Sequence, residues 1–412
     1  MNLDHVKELE SKYLLGAYAR YDVLIDRGSG AYLFDKSNKR YLDLLAGIGV
    51  NSLGYNHPRV KQVLRKQIKK PLHISNLLYH EYQGRLAEKL CTVSGLDRVF
   101  FTNSGTESIE GCLKLARAWA KKNAPERFRF LSLDNSFHGR SYGALSATGQ
   151  KKYRDPFEPV VPGFDFVKFN DVADLERKFT TDVCAVMFET IQGEGGIRPV
   201  SADFYRRARE LTEQNGALLI CDEIQCGLGR TGRWYAFHKF APADNKAMLP
   251  DLVASAKPLG LGIPLGAVLM QQKVADAFQV GYHGTTFGGG PLACRASLEY
   301  FKILEEDRML ERVQELGTYF MTKLQELQDL PVVNEVRGDG LMLAVELKIP
   351  GKEIVKQLIQ QGYILNCTHE TVLRILPPFV ITENQIDKFV RTLRPVLEAQ
   401  NVASESNAQA TH

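Results

Sequence analysis

The chain has 412 residues, 44% apolar and 24% charged, with a formal net charge of +4. That length allows two domains around large buried cores, with no need for a disulfide or metal staple. The small charge, without a basic stripe carrying interleaved aromatics, argues against nucleic-acid binding, and seven scattered cysteines in mostly apolar runs suit reduced thiols in a cytosolic protein.

The opening MNLDHVKELESKYLL is charged and predicts a helix over about 3–16 rather than a secretory leader. AYLFDKSNKRYLDLLAG predicts two short strands around a turn at Ser37–Asn38. From about residue 80 helices and apolar strands alternate. RLAEKLCTVSG is helical, VFFTNSG is a strand ending in Asn-Ser-Gly, and TESIEGCLKLARAWAKK has apolar residues at helical spacing. FRFLSLD, VCAVMFE, GALLICDE, PDLVASAK and LGAVLMQ read as further strands. This βαβ rhythm predicts a mostly parallel sheet covered on both faces. Such sheets bind ligands beyond the C-terminal ends of their strands. The most apolar long run, VASAKPLGLGIPLGAVLM, is broken by Lys257, prolines and glycines, so no membrane span is expected.

After Gly290 the pattern changes. PLACRASLEYFKILEEDRMLERVQELGTYFMTKLQEL predicts one long helical stretch. VNEVRGDGLMLAVEL, a helix at about 351–361, YILN, VLRILPP and a last helix from about Thr382 to Ala399 predict a separate α+β unit. The polar tail from Asn401 reads as disordered.

Six segments carry chemistry. In NSGTES, Ser104, Gly105 and Thr106 either offer backbone N–H groups and a hydroxyl to a phosphate or form an ordinary N-cap with Glu107 in the first turn. NSFHGRS supplies an aromatic face in Phe137, a histidine in His138 and a fixed cation in Arg140. The guanidinium fork suits a carboxylate; a solvated surface arginine fits the same residues. ETIQGEGG sets Glu189 and Glu194 around Gln192, either as an acid/base pair or as a solvated glycine-rich loop. LLICDEIQ ends a strand in Asp222, whose burial calls for a positive partner, a protonated pyridine nitrogen or an arginine. SAKPLG puts Lys257 at the end of a buried strand, where desolvation would lower its pKa and prepare it for imine formation; a snorkelling lysine is the alternative. HGTTFGGG offers Thr285 and Thr286 to a phosphate. GLGRTG at Gly227–Gly232 fits a dinucleotide fingerprint, but the strand ends too early and RWYAFHKF does not open a crossover helix, so it is set aside.

Taken in order, these segments supply what pyridoxal phosphate needs: a phosphate cradle, a ring platform, a carboxylate for the ring nitrogen and an imine lysine. From about Tyr18 to about Val380 the chain resembles the class III pyridoxal-phosphate-dependent aminotransferases. NSGTES, SFHGRSYGALSATGQ, ETIQGEGG, CDEIQCGLGRTG, SAKPLGLGIPLGAV and HGTTFGGGPLAC are similar to that family's signatures, and AGIGVNSLGYNHP and NCTHETVLRILPP are most similar to its acetylornithine branch.

The resemblance implies an α/β fold of type I. A large, mostly parallel-sheet domain would cover residues 61–295, a small α+β domain 1–60 with 296–400, and a disordered tail 401–412. It implies pyridoxal 5'-phosphate as cofactor and no metal. Lys257 would carry the cofactor and move the proton, Asp222 would hold the ring nitrogen protonated, and Phe137 would lie against the ring. Gln225 would contact the ring hydroxyl with Glu189 nearby, Gly105 and Thr106 would hold the phosphate, and Thr286 would do so from the second subunit of a homodimer. For substrates it implies Arg140 on the α-carboxylate of acetylornithine and the distal carboxylate of glutamate, and Arg374 on the α-carboxylate of glutamate or 2-oxoglutarate. Glu194 would pair with Arg374 in one half-reaction and release it in the other; Thr285 would lie on the substrate side of its loop and Tyr18 at the entrance. The implied reaction is ping-pong transfer from N2-acetylornithine to 2-oxoglutarate, in arginine biosynthesis and in the cytoplasm. Ornithine and 4-aminobutyrate are the alternative donors, and Gly47 in AGIG favours a larger substrate. Ser108-Ile109 and Gly290 depart from the family's usual residues, the latter in the subunit-bridging loop.

Overall fold

The computed structural model describes residues 2–242 and 245–409. At its centre is a seven-stranded sheet. Across it run Arg98–Thr102, Gly266–Met270, Leu252–Ser255, Leu218–Asp222, Val183–Glu189, Arg129–Leu133 and Phe164–Val167. The last five are mutually parallel, with Ile220 opposite Leu252, Leu218 opposite Ala185 and Phe130 opposite Phe164.

Each central strand is apolar throughout because both faces are covered. Leu218 and Ile220 pack in one cluster with Ile109, Cys112 and Ala116 of the helix Gly105–Asn123. Leu219 and Cys221 point the other way, into the cluster holding Phe204 and Ala208 of the helix Ala202–Gln214. Alternation along the strand thus serves two apolar layers rather than one.

Gly266–Met270, expected as a strand, runs antiparallel to both neighbours. The link over residues 256–265 is too short for a crossover, which takes about a dozen residues or more, so the chain turns back instead.

The two ends of the chain meet. Ile25–Ser29, Tyr32–Asp35 and Arg40–Asp43 form an antiparallel ribbon, turned at Asn38 with φ 68°, and Tyr363–Ile364 adds to its edge in parallel. Val333–Asp339, Met342–Leu347, Val372–Ile375 and Asn366–Thr368 make a separate antiparallel sheet.

One expectation changes. The predicted single helix after Gly290 is two, Pro291–Glu306 and Met309–Gln325. The break falls where Arg308 takes φ 49°, a left-handed conformation that nothing in EEDRM signals. The last helix is Glu383–Gln409; residues 410–412 of the tail lie outside the described residues. The GLGRTG loop is a structural staple. Arg230 is buried and donates to Ser52 Oγ at 3.1 Å, Leu341 O at 3.2 Å and Pro377 O at 2.5 Å. No described helix is long and apolar enough to cross a membrane.

Candidate active site

A cavity of about 450 Å³ opens beyond the C-terminal ends of the central strands. Its lining includes Gly105, Thr106, Phe137, Arg140, Asp222 and Lys257, which the chain order had kept far apart, together with Glu189, Glu194 and Gln225.

One wall is the start of the helix Gly105–Asn123. Ser104 is its N-cap, accepting from Glu107 N at 3.3 Å, while Glu107 Oε2 accepts from Asn103 N at 2.8 Å. The ordinary capping reading is therefore correct for Ser104 and Glu107, and it is compatible with the anion reading. Gly105 and Thr106 are the first two helical residues, so their N–H groups have no intrahelical acceptor, and both line the cavity at the positive end of a long helix. The Thr106 hydroxyl is already engaged: it accepts from Arg140 N at 3.3 Å and Ser141 N at 3.2 Å, tying the 137–141 loop to the helix. Gly139, at φ 142°, fits because it lacks a Cβ, which would come within 2.4 Å of Thr106 Oγ1.

At the floor, Asp222 Oδ2 lies 2.8 Å from His138 Nδ1, and Asp222 Oδ1 accepts from Ile224 N at 3.0 Å. Both side chains are buried. Glu189 spends its oxygens on backbone: Oε1 accepts from Phe137 N and Oε2 from Gly193 N, each at 2.8 Å. Burial raises its pKa, with His138 opposing and Asp222 reinforcing. Glu189 thus sets the position of Phe137, a role the strand-end sequence does not signal.

Lys257 follows the fully buried strand Leu252–Ser255 and takes φ 42°. A left-handed lysine is strained, and such strain concentrates at functional positions. Part of its surface faces the cavity, yet the surrounding protein desolvates its amine. Burial first, then the charge of Arg374, brings its pKa down to about 8, against the opposing pull of Glu194, Asp222 and Glu189.

Two arginines differ in state. Arg140 is exposed, its guanidinium 4.1 Å from the Tyr153 ring centroid and 5.3 Å from that of Phe137. Arg374 is buried behind the lining and pairs with Glu194, which does line the cavity. Arg374 Nη1 also reaches Gln225 Oε1 at 3.4 Å, and Nε donates to Asn366 Oδ1 at 3.1 Å. Burial pushes the Glu194 carboxyl up, but the charge and hydrogen bond of Arg374 outweigh it and hold the pKa below the usual range. Thr368 Oγ1 donates to Glu194 O at 2.9 Å.

Other expected residues lie elsewhere in the chain's own fold. Tyr18 is 79% exposed and does not line the cavity. Thr285 Oγ1 accepts from Asn103 Nδ2 at 3.0 Å, and Thr286 is exposed; neither lines this cavity. Gly47 does not line it either, and takes φ 62°. His138, Asn366 and Thr368 are the site residues whose roles sequence reasoning missed. The last two share one face of the strand Asn366–Thr368, Asn366 opposite Arg374 and Thr368 opposite Val372, a register that only the fold sets.

The family description "Aminotransferase class-III" matches residues 16–397. The chain belongs to the class-III aminotransferases. This class-III chain is 44% identical over 386 residues to the acetylornithine aminotransferase of Aquifex aeolicus, covering 93% of this chain and 100% of that protein. It is 43% identical to the acetylornithine aminotransferase of Methanocaldococcus jannaschii, covering 96% and 98%. Among solved structures, the ornithine aminotransferase of Toxoplasma gondii superimposes with a TM-score of 0.91 at 31% identity, covering 98% of this chain and 96% of that one. As a class-III member it is a pyridoxal-phosphate-dependent transaminase of fold type I.

The cavity fits that cofactor on its own evidence. Free N–H groups at a helix start suit the phosphate, the Phe137 ring offers a platform, the buried Asp222 carboxylate suits a ring N–H, and Lys257 is a desolvated amine.

Proposed function

We propose that the chain transfers the ω-amino group of N2-acetylornithine to 2-oxoglutarate, giving N-acetylglutamate 5-semialdehyde and glutamate, a reaction of arginine biosynthesis. The observation that carries this reading is the Glu194–Arg374 pair beside a cavity lined by Arg140, which has no ion-pair partner among the described residues. A donor with one carboxylate and a distal amine needs one cation. A dicarboxylic partner needs two, and a releasable second arginine answers that need.

Bound here, pyridoxal phosphate supplies an aldehyde that takes up the amine and a ring that withdraws electrons from the reacting carbon. The other roles belong to the chain. The N–H groups of Gly105 and Thr106 hold the phosphate, joined by Thr286 of a second copy. Phe137 would offer the ring its face, and Gln225 would meet the ring hydroxyl. Asp222, oriented by Ile224 N and His138, would face the ring nitrogen. Lys257, whose pKa burial and Arg374 bring down to about 8, would take a proton from the reacting carbon and return it. Arg140 binds the donor's α-carboxylate while Glu194 neutralises Arg374; for glutamate, Glu194 withdraws, Arg374 takes the α-carboxylate and Arg140 the distal one. In the assembled enzyme Thr285 is assigned to the substrate side of its loop and Tyr18 to the substrate entrance.

A homodimer completes the site. Supporting it, Leu77 is 91% exposed beside the exposed Leu78, Tyr79 and Phe287, an apolar surface on the segments around Thr286. We also take 61–295 as the large domain and 1–60 with 296–400 as the small one; the pairing of Tyr363 with Leu42 supports joining the two chain ends. The seven unpaired thiols suit the cytoplasm.

The test is the absorbance spectrum of the purified holoenzyme with N2-acetylornithine and no keto acid. Loss of the cofactor's visible band is expected. The superposition on an ornithine aminotransferase makes ornithine the second donor to try. A band that persists with acetylornithine and collapses with ornithine moves the substrate and keeps the class.

A further inference from the structure

Asn366 stands directly opposite Arg374 in the antiparallel ladder between Asn366–Thr368 and Val372–Ile375. Facing side chains of a ladder are neighbours, and here the Asn366 amide oxygen accepts from Arg374 Nε at 3.1 Å. The Arg374 side chain is 1% exposed and Glu194 is the one carboxylate paired with it among the described residues. A guanidinium so enclosed needs acceptors in every state it visits. If Glu194 leaves to admit a substrate carboxylate, Nη1 changes partner. Nε does not have to. An amide oxygen also brings no charge, so it directs the cation without neutralising it.

The next same-face residue of that strand, Thr368, donates through Oγ1 to Glu194 O at 2.9 Å and to Glu194 Oε2 at 3.3 Å. One short strand therefore supports both members of the pair, and it anchors the arginine through Nε, away from the atom that Glu194 occupies.

We infer that Asn366 is a positioning residue that keeps Arg374 aimed and fully charged for the dicarboxylic substrate, so that its neutrality sets the balance between the two half-reactions. The inference rests on the two-arginine reading above. An aspartate at this position would hold the same shape while pairing permanently with Arg374, and the glutamate half-reaction alone would suffer.

The experiment uses the holoenzyme of Asn366→Asp and Asn366→Leu. One readout is calorimetric binding of glutarate, a dicarboxylate that cannot react. The other is single-turnover conversion of the cofactor band by glutamate and by acetylornithine, measured separately. Both variants are expected to weaken glutarate binding at least about tenfold, and to raise the glutamate concentration for half-maximal rate to match, because a misdirected or neutralised buried cation loses its anion. The acetylornithine half should stay within about threefold, since Arg374 is not its ligand. Glutarate binding within about threefold of the unaltered enzyme in both variants, or equal damage to both halves, overturns the inference. Arg374→Ala is the control. If it too leaves glutarate binding intact, the two-arginine reading falls and the role of Asn366 with it; if only the Asn366 variants do, the role of Asn366 alone falls.

Discussion

His138 Nδ1 and Asp222 Oδ2 lie 2.8 Å apart with both side chains buried, and His138 Nε2 has no hydrogen-bond partner among the described residues. The histidine thus fixes one oxygen of the carboxylate assigned to the ring nitrogen, while Ile224 N fixes the other. Replacing His138 with phenylalanine removes that contact and keeps a ring. A hydrogen bond to a charged group contributes about 1.5–3 kcal/mol, so turnover should fall roughly 10- to 100-fold with cofactor still bound. Steady-state kinetics beside the cofactor's absorbance decides it; unchanged turnover would show that Ile224 N alone orients Asp222.

Lys257 titrates at about 8 by burial and by the charge of Arg374. In cofactor-free protein, reductive methylation of this amine should reach half its limiting rate near pH 8, well below surface lysines. The folded value lies below the unfolded one. Between about 8 and the ordinary lysine range the unfolded chain therefore holds the extra proton, and stability rises with pH relative to Lys257→Met. A methylation profile indistinguishable from that of exposed lysines would contradict the desolvated site. Turnover of Lys257→Ala should drop by roughly 10³-fold or more, through loss of the proton carrier and of the covalent anchor.

Gly139→Ala tests the phosphate wall. At φ 142° an alanine is strained, and its Cβ would press on Thr106 Oγ1 from 2.4 Å. Backbone strain of this kind costs about 1–3 kcal/mol. The cost should appear as weaker cofactor binding in a fluorescence titration, by roughly tenfold or more, because Thr106 must move. Full cofactor affinity in a folded variant would detach Thr106 from the phosphate.

Thr286 tests the shared site by complementation. In the proposed homodimer, Lys257→Ala and Thr286→Ala would each damage every site of their own assembly. In a hybrid dimer one site combines Lys257 of one chain with Thr286 of the other and is intact. Mixing and refolding the two variants should restore activity that neither has alone. No recovery, in a preparation shown by mass spectrometry to contain hybrids, would count against the exchanged threonine.

Much of the site is legible in the sequence because its parts are local. Asp222 and Lys257 each end an apolar strand, and NSGTES is a strand-to-helix joint; burial pattern and turn chemistry mark all three without reference to the rest of the chain. The order of these segments pointed to the cofactor, since a parallel sheet brings successive strand ends to one edge. What the tertiary structure alone decided are contacts between separate elements. The pairing of His138 with Asp222, of Glu194 with Arg374 and of Asn366 with Arg374 depends on register and packing. The break at Arg308 carries no glycine or proline to announce it. Short-range propensity is written in neighbouring residues, whereas a hydrogen bond between distant side chains exists only once two elements have been fixed against each other, and no local pattern encodes that distance.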